Sequence, residues 1–195
     1  MTCIRMIATA SFVVALSGCA HQISLTGDVT KLPALTTSPF NKNVALVITA
    51  EQSSHEVITP GGGGDKVSYT PYRDMELSLY VGLGRVFKTV TKLKNIPDVA
   101  TAQAQHLDYV ITPAIKTSSS SSSIVTWPPT DFSLTLTCTV ADPSGQAVLV
   151  TDVTGTGHAE FDDFKHNFGL AGQRAGVDAI SKLQTSLANA PELQK

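Results

Sequence analysis

From Phe132 to Val140 apolar and polar side chains alternate without interruption. Phe132, Leu134, Leu136, Cys138 and Val140 fall on one side, and Ser133, Thr135, Thr137 and Thr139 on the other. Successive side chains of a strand point to opposite faces, so this segment predicts a strand with one buried and one wet face. Asp142-Pro143-Ser144-Gly145 has the composition of a turn, and Ala147 to Phe161 is the predicted partner strand, giving a long antiparallel hairpin. Val44-Ala45-Leu46-Val47-Ile48 is an unbroken apolar run of strand length, which suits a strand covered on both faces. His106 to Ile111, running through Pro113 to Ile115, predicts a second buried strand whose end the proline moves to an edge or bulge.

Three- and four-residue spacing marks two helices. Leu79, Gly82, Leu83, Val86, Phe87 and Val90 form one stripe over about 73–90, and Ala171, Ala175, Ala179, Ile180, Leu183 and Leu187 form another over about 170–190, ended by Pro191. One of Gly82 and Gly84 is expected to permit a close helix-to-sheet contact. Segments 55–59 and 66–70 flank Pro60 and glycines 61–64 and predict a hairpin with a mobile tip. A further strand is expected over 90–96, a helical turn or two over 99–105, and a long connection through serines 118–123 and Trp127-Pro128-Pro129. The expected fold is α+β or α/β, a mixed sheet with two helices packed on one face and the long antiparallel hairpin near the C-terminus. The single domain is placed at 42–190, followed by a tail at 191–195. Residues 19–41 mix polar residues with Pro33 and Pro39 and show no sustained period, which reads as an extended tether reaching up to about 70 Å.

The start of the chain has the layout of an export signal. Arg5 in a short head precedes the apolar stretch Ile7 to Leu16, which is too short to span a bilayer, and small residues follow. Leu16-Ser17-Gly18-Cys19 resembles the lipobox of bacterial lipoproteins. That resemblance implies a signal peptide at 1–18, cleavage between Gly18 and Cys19, a diacylglyceryl group on the Cys19 sulfur and an acylated Cys19 amino group. Ala20 resembles the residue that follows the cysteine in lipoproteins passed to the outer membrane, so the expected location is its periplasmic face, with the membrane held through Cys19.

Removal of 1–18 takes away Arg5 and leaves 177 residues with 13 Lys and Arg against 16 Asp and Glu, a formal net charge of −3. A nucleic-acid partner calls for a basic face, so none is expected. With Cys3 removed and Cys19 acylated, Cys138 is the remaining thiol, and an intramolecular disulfide is impossible despite export.

Three short motifs extend the resemblance. Val44 to Ile48, Gly84-Arg85-Val86-Phe87 and Asp108-Tyr109-Val110-Ile111 are similar to segments of exported α/β lipoproteins: the curli-secretion lipoprotein, the peptidoglycan-synthase activator lipoproteins and the amino-terminal domain of TolB. Leu107 stands where those proteins carry alanine. The likeness implies a fold; function inferred from it is analogy.

Candidate chemistry is sparse. Glycines 61–64 with Asp65-Lys66 lack the spacing of a phosphate loop. His158, Glu160, Asp162, Asp163 and His166 crowd into nine residues and are the candidate metal ligands, His158, Glu160 and Asp162 sharing one face of a strand. Phe161, Phe164 and Phe168 interleave them, and the plain account is a solvated strand end. No Gly-x-Ser-x-Gly elbow occurs, and Cys138 lies on an apolar face, where a thiol is inert. Trp127, on a proline-stiffened loop, is either a lid over the core or a partner contact. The expectation is a non-enzymatic envelope lipoprotein without cofactor, whose domain binds or helps assemble another envelope protein or peptidoglycan. The alternatives are a peptidoglycan- or small-ligand-binding module using the threonine-rich sheet face, and a metal-dependent hydrolase on the His158 to His166 cluster.

Overall fold

The alternating segment forms the strand at Asp131–Ala141, in which Phe132, Leu134, Leu136, Cys138 and Val140 are at most 3% exposed. The computed structural model describes residues 20–35 and 39–194; the expected signal peptide, Gly18, Cys19 and Lys195 lie outside the described residues. Along the described chain run β1 (His21–Gln22), β2 (Phe40–Val47), α1 (Ala50–Ser54), β3 (Val57–Pro60), β4 (Lys66–Tyr69), α2 (Pro71–Val86) and β5 (Phe87–Leu93). There follow α3 (Val99–Ala104), β6 (Tyr109–Ser120), β7 (Asp131–Ala141), β8 (Ala147–His158), α4 (Phe161–Phe164) and α5 (Leu170–Ala188). Five strands build a mixed sheet in the order β5-β2-β6-β7-β8, the first three parallel and the last two antiparallel. The α+β fold class agrees with the sequence pattern. The hairpin expected over 55–59 and 66–70 forms as β3 and β4, and β1, which the sequence pattern did not foreshadow, adds to it to make a second sheet, β1-β4-β3.

Helices α2 and α5 cover one face of the large sheet and share its main core, with Leu79, Leu83, Ile180 and Leu183 packed against Leu134 and Leu136. The short α3 covers part of the other face, where Ala102 and Leu107 meet Ala45, Val47 and Val110. Thus β2 is buried on both faces, as its continuous apolar run requires. The remaining outer face of β6, β7 and β8 carries hydroxyls.

Several boundaries depart from the pattern. Helix α2 stops at Val86 rather than Val90, because Phe87 turns extended and begins β5 beside β2. The helical spacing of Val86, Phe87 and Val90 coincides with two consecutive elements, and the strand expected over 90–96 starts three residues earlier. Pro113 lies inside β6, opposite Cys138. The amide of Ile115, two residues on and on the same side of the strand, donates to the Tyr72 hydroxyl at 3.1 Å instead of to β7. The proline therefore removes no bond from the β6–β7 ladder. Serines 118–120 belong to β6, so the predicted connection shrinks to 121–130.

The seam between β8 and α5 is built from small residues. An added Cβ at Gly157 would overlap the Ala171 carbonyl and lie 2.5 Å from the Ala175 nitrogen, and one at Gly155 would overlap Ala175 and Ala179. The alanine stripe is thus the counterpart of Gly155-x-Gly157. Beside the seam, the free edge of β8 is covered by one row of α5 side chains. Arg174 donates to the His158 carbonyl at 2.6 Å, Asp178 accepts from the Thr156 amide at 2.9 Å, and Lys182 donates to the Thr154 carbonyl at 2.8 Å. Four-residue spacing on the helix meets two-residue spacing on the strand and occupies backbone groups that would otherwise be open to another chain.

Residues 20–35 correct the expected tether. They form a strap rather than a spacer: β1 pairs with β4, and Ile23, Leu25 and Leu32 are buried in the main core. The Leu25 amide donates to Asp74 Oδ2 at 3.0 Å, and Arg85 reaches the carbonyls of Leu32, Pro33 and Val29. Burial pushes the Asp74 carboxyl above its ordinary value, with the Leu25 hydrogen bond opposing the shift. Ile23, Leu25, Val29, Leu32 and Leu35 are spaced without a sustained helical or strand period, yet all five pack into or against the main core. The domain therefore begins by Ala20, not at residue 42.

Candidate functional site

The chain enters the described structure at Ala20, immediately after Cys19, and at once meets three separate parts of the fold. The His21 ring stacks on Trp127 with centroids 4.2 Å apart, and its Nε2 lies 3.7 Å from Asp65 in the β3–β4 tip. Phe168 packs on Trp127 at 4.7 Å. Trp127 is half-buried, packed in part against the main core and in part open to the surface. Its carbonyl accepts from the Gly62 amide at 2.8 Å, while the Gly63 amide donates to Ser123 at 3.0 Å. Side chains at Gly61 or Gly62 would overlap the Trp127 or Thr126 carbonyl. The tip expected to be mobile is instead held against the 121–130 loop, and its glycines serve that close approach.

Sequence reasoning singled out Trp127 but not His21, and it placed Phe168 among the aromatics of the His158 cluster and Arg85 in a resembling motif without giving either a partner. All three act through partners remote in sequence. The resembling motifs have structural roles. Asp108 accepts from the Asn43 amide at 2.7 Å and its own amide donates to the Asn43 carbonyl at 2.7 Å, fixing β6 beside β2. Arg85 clamps the strap.

The His158 cluster assembles differently from the expected strand face. Because β8 ends at His158 and Glu160 caps α4, Asp162 turns away from His158 and pairs with Lys165 at 3.4 Å. Asp163 pairs with Arg174 at 3.1 Å, which holds its carboxyl below the ordinary value. His158 donates from both ring nitrogens, Nδ1 to Asp131 at 2.7 Å and Nε2 to Glu160 at 2.9 Å. Only the imidazolium has two N–H groups to give. The bond to Asp131, then that to Glu160, raises the His158 pKa, and the same bond lowers that of Asp131. Two nitrogens on opposite sides of one ring, each facing its own carboxylate, do not converge on a point. Among the described residues no group of three or more His, Cys, Asp and Glu side chains is placed to hold a metal ion. His158, Glu160, Asp162 and His166 thus do not form a ligand set.

Cys138 is buried in the core, and burial pushes its thiol up to about 12. It remains protonated at any physiological pH and offers no thiolate. A cavity of about 510 Å³ opens at the carboxyl ends of β2 and β5. Leu46, Ile48 and Leu93 line it together with Arg73, Lys92 and Lys94, and Lys92 is engaged by Glu76 at 2.9 Å. This lining suits a small anionic group with an apolar part, and the sequence pattern did not bring these residues together.

No helix among the described residues is long and apolar enough to cross a membrane. No family model matches the chain, and no curated protein matches it. Solved structures do. A protein from Xanthomonas campestris assigned to the DUF330 family model has 11% identity over 87% of this chain and 90% of its own, with a TM-score of 0.50. PelC from Paraburkholderia phytofirmans, solved as a dodecamer, has 18% identity over 78% of this chain and 91% of its own, with a TM-score of 0.41. At such identities the Xanthomonas likeness establishes a shared fold and nothing further about activity.

Proposed function

We propose that this chain is a bacterial envelope lipoprotein without catalytic activity, held by acyl chains on Cys19 at the periplasmic face of the outer membrane. Its domain binds or helps assemble another envelope protein or peptidoglycan. The observation that carries the reading is Leu16-Ser17-Gly18-Cys19 closing an apolar stretch too short to span a bilayer, directly followed by a folded domain. Each buried methylene of an acyl chain is worth about 0.8 kcal/mol, and two or more chains give stable anchoring. The non-enzymatic part is supported by the state of the reactive groups the sequence offers: the Cys138 thiol is buried and protonated, and both nitrogens of His158 are taken.

Cys19→Ala tests the anchor. The expected result is an unprocessed precursor, or a protein released from the membrane fraction; normal processing with full membrane retention would refute the reading. A second reading, a module that binds peptidoglycan or a small ligand, is favoured by the outer face of the large sheet. There Ser118, Ser133 and Thr156 lie in register, as do Lys116, Thr135 and Thr154, and hydroxyl pairs bond across strands at 2.8 and 2.9 Å. Cell-wall fragments that raise the melting temperature, with the rise abolished in Thr135→Val, would support it; no shift would exclude it.

A further inference from the structure

We propose that the end of the domain bearing Ile124, Val125 and Trp127 rests on the same lipid bilayer that holds the anchor. The proposal rests on the lipoprotein reading of Cys19. One residue, Ala20, separates Cys19 from β1, and consecutive Cα atoms are 3.8 Å apart, so Cys19 lies within about 8 Å of His21 along the backbone. The strap is packed from there onward and has no slack to lift the domain away. The point at which acyl chains would enter the membrane is therefore beside the His21 ring, and His21 stacks on Trp127.

Exposed apolar side chains accompany Trp127 at that end of the domain, and Asp65 is the acidic side chain paired with the His21 ring there. Ile124 is 88% exposed and Val125 86%, the two most exposed large apolar side chains among the described residues, and they are adjacent on the loop that carries Trp127. Phe168, which packs on Trp127, is itself exposed. The loop presenting the pair is fixed rather than loose. The Ser123 hydroxyl accepts from the amides of Val125 and Thr126, and the hairpin tip donates to the Ser123 and Trp127 carbonyls. Held by these bonds, the loop can set two aliphatic side chains in the headgroup region. Tryptophan is at home at that depth, its ring apolar and its N–H able to reach water or headgroups.

The chain contains one tryptophan, so its emission reports on this site alone. The acylated, full-length processed protein is reconstituted into vesicles of phosphatidylethanolamine and phosphatidylglycerol, with or without phosphatidylcholine brominated on its acyl chains. Mass spectrometry of the same sample reads the modification of Cys19. The expected result is an acylated Cys19 together with quenching of Trp127 by the bromolipid. Ile124→Ser/Val125→Ser should weaken the quenching at least about twofold by raising the ring out of the acyl boundary, and Val150→Ser, an exposed apolar position in β8, should leave it unchanged. An acylated protein whose tryptophan is not quenched would overturn the proposal and leave the lipoprotein reading standing. Quenching that the double substitution does not alter would equally overturn it. A processed protein with an unmodified Cys19 would overturn both.

Discussion

Leu25→Ala measures whether the start of the chain is part of the domain. Leu25 is fully buried, its side chain fills the space beside Gly172 of α5, and its amide is bonded to the buried Asp74. Truncating a buried leucine removes its transfer free energy and leaves a cavity, with measured costs of roughly 2.7–5.0 kcal/mol. Leu25 sits on an irregular stretch of the strap outside any helix or strand, so some collapse is available, and a cost of about 3 kcal/mol is expected. For a domain of this size that is about 6–12 °C in melting temperature, out of a total stability of order 5–15 kcal/mol. Urea denaturation of a chain beginning at Ala20, followed by circular dichroism, reads the change as a lower midpoint at unchanged slope. Ile96→Ala, at 67% exposure, is the control and should move stability by less than about 0.5 kcal/mol. A Leu25→Ala protein indistinguishable from that control would mean that residues 20–35 are a detached spacer after all.

Gly157→Ala should cost about 1–3 kcal/mol, because the new methyl meets the backbone of α5, which cannot move without disturbing the whole helix; urea denaturation checks it. Gly84→Ala, on the exposed side of α2 with open space at its Cβ, should stabilise by up to about 1 kcal/mol in the same assay. Asp178→Ala should accelerate hydrogen exchange at the Thr156 amide by removing its acceptor, and unchanged protection would show that the β8 edge is covered by something else. His158 titrates above its unfolded value near 6.5, so its contribution to stability is complete below that pH and is lost as the pH rises through the raised folded value. Proton NMR of the His158 ring should show the raised midpoint, and Asp131→Asn should bring it down.

Elements with an internal period were legible from the chain itself. The β7 alternation, the β2 apolar run and the alanine stripe of α5 all appear where spacing places them, because in each case the buried face is defined by neighbours within the same element. Boundaries failed where two elements shared one spacing, as at Val86-Phe87. The candidate site divides in the same way. Trp127 was visible as an aromatic on a stiff loop, but whether it was covered depended on His21 and Phe168 at opposite ends of the chain. The His158 cluster drew notice as candidate ligands because its members are close in sequence, with a solvated strand end as the plain account. The end of β8 and the start of α4 turn them apart, and Asp131, distant in sequence, supplies the partner that matters.

By itself the sequence determined the α+β fold class, its main strands and helices, and the lipobox resemblance at Cys19, since each is written in a run of consecutive residues. Only the tertiary structure decided that residues 20–35 are a strap, that Gly155 and Gly157 face the alanines of α5, that α5 closes the β8 edge, and that the loop bearing Ile124 and Val125 meets the start of the strap through Trp127 and His21. The physical reason is that burial of an isolated Leu25, or contact between Trp127 and His21, is a property of two segments brought together by the core. No periodicity within either segment records it.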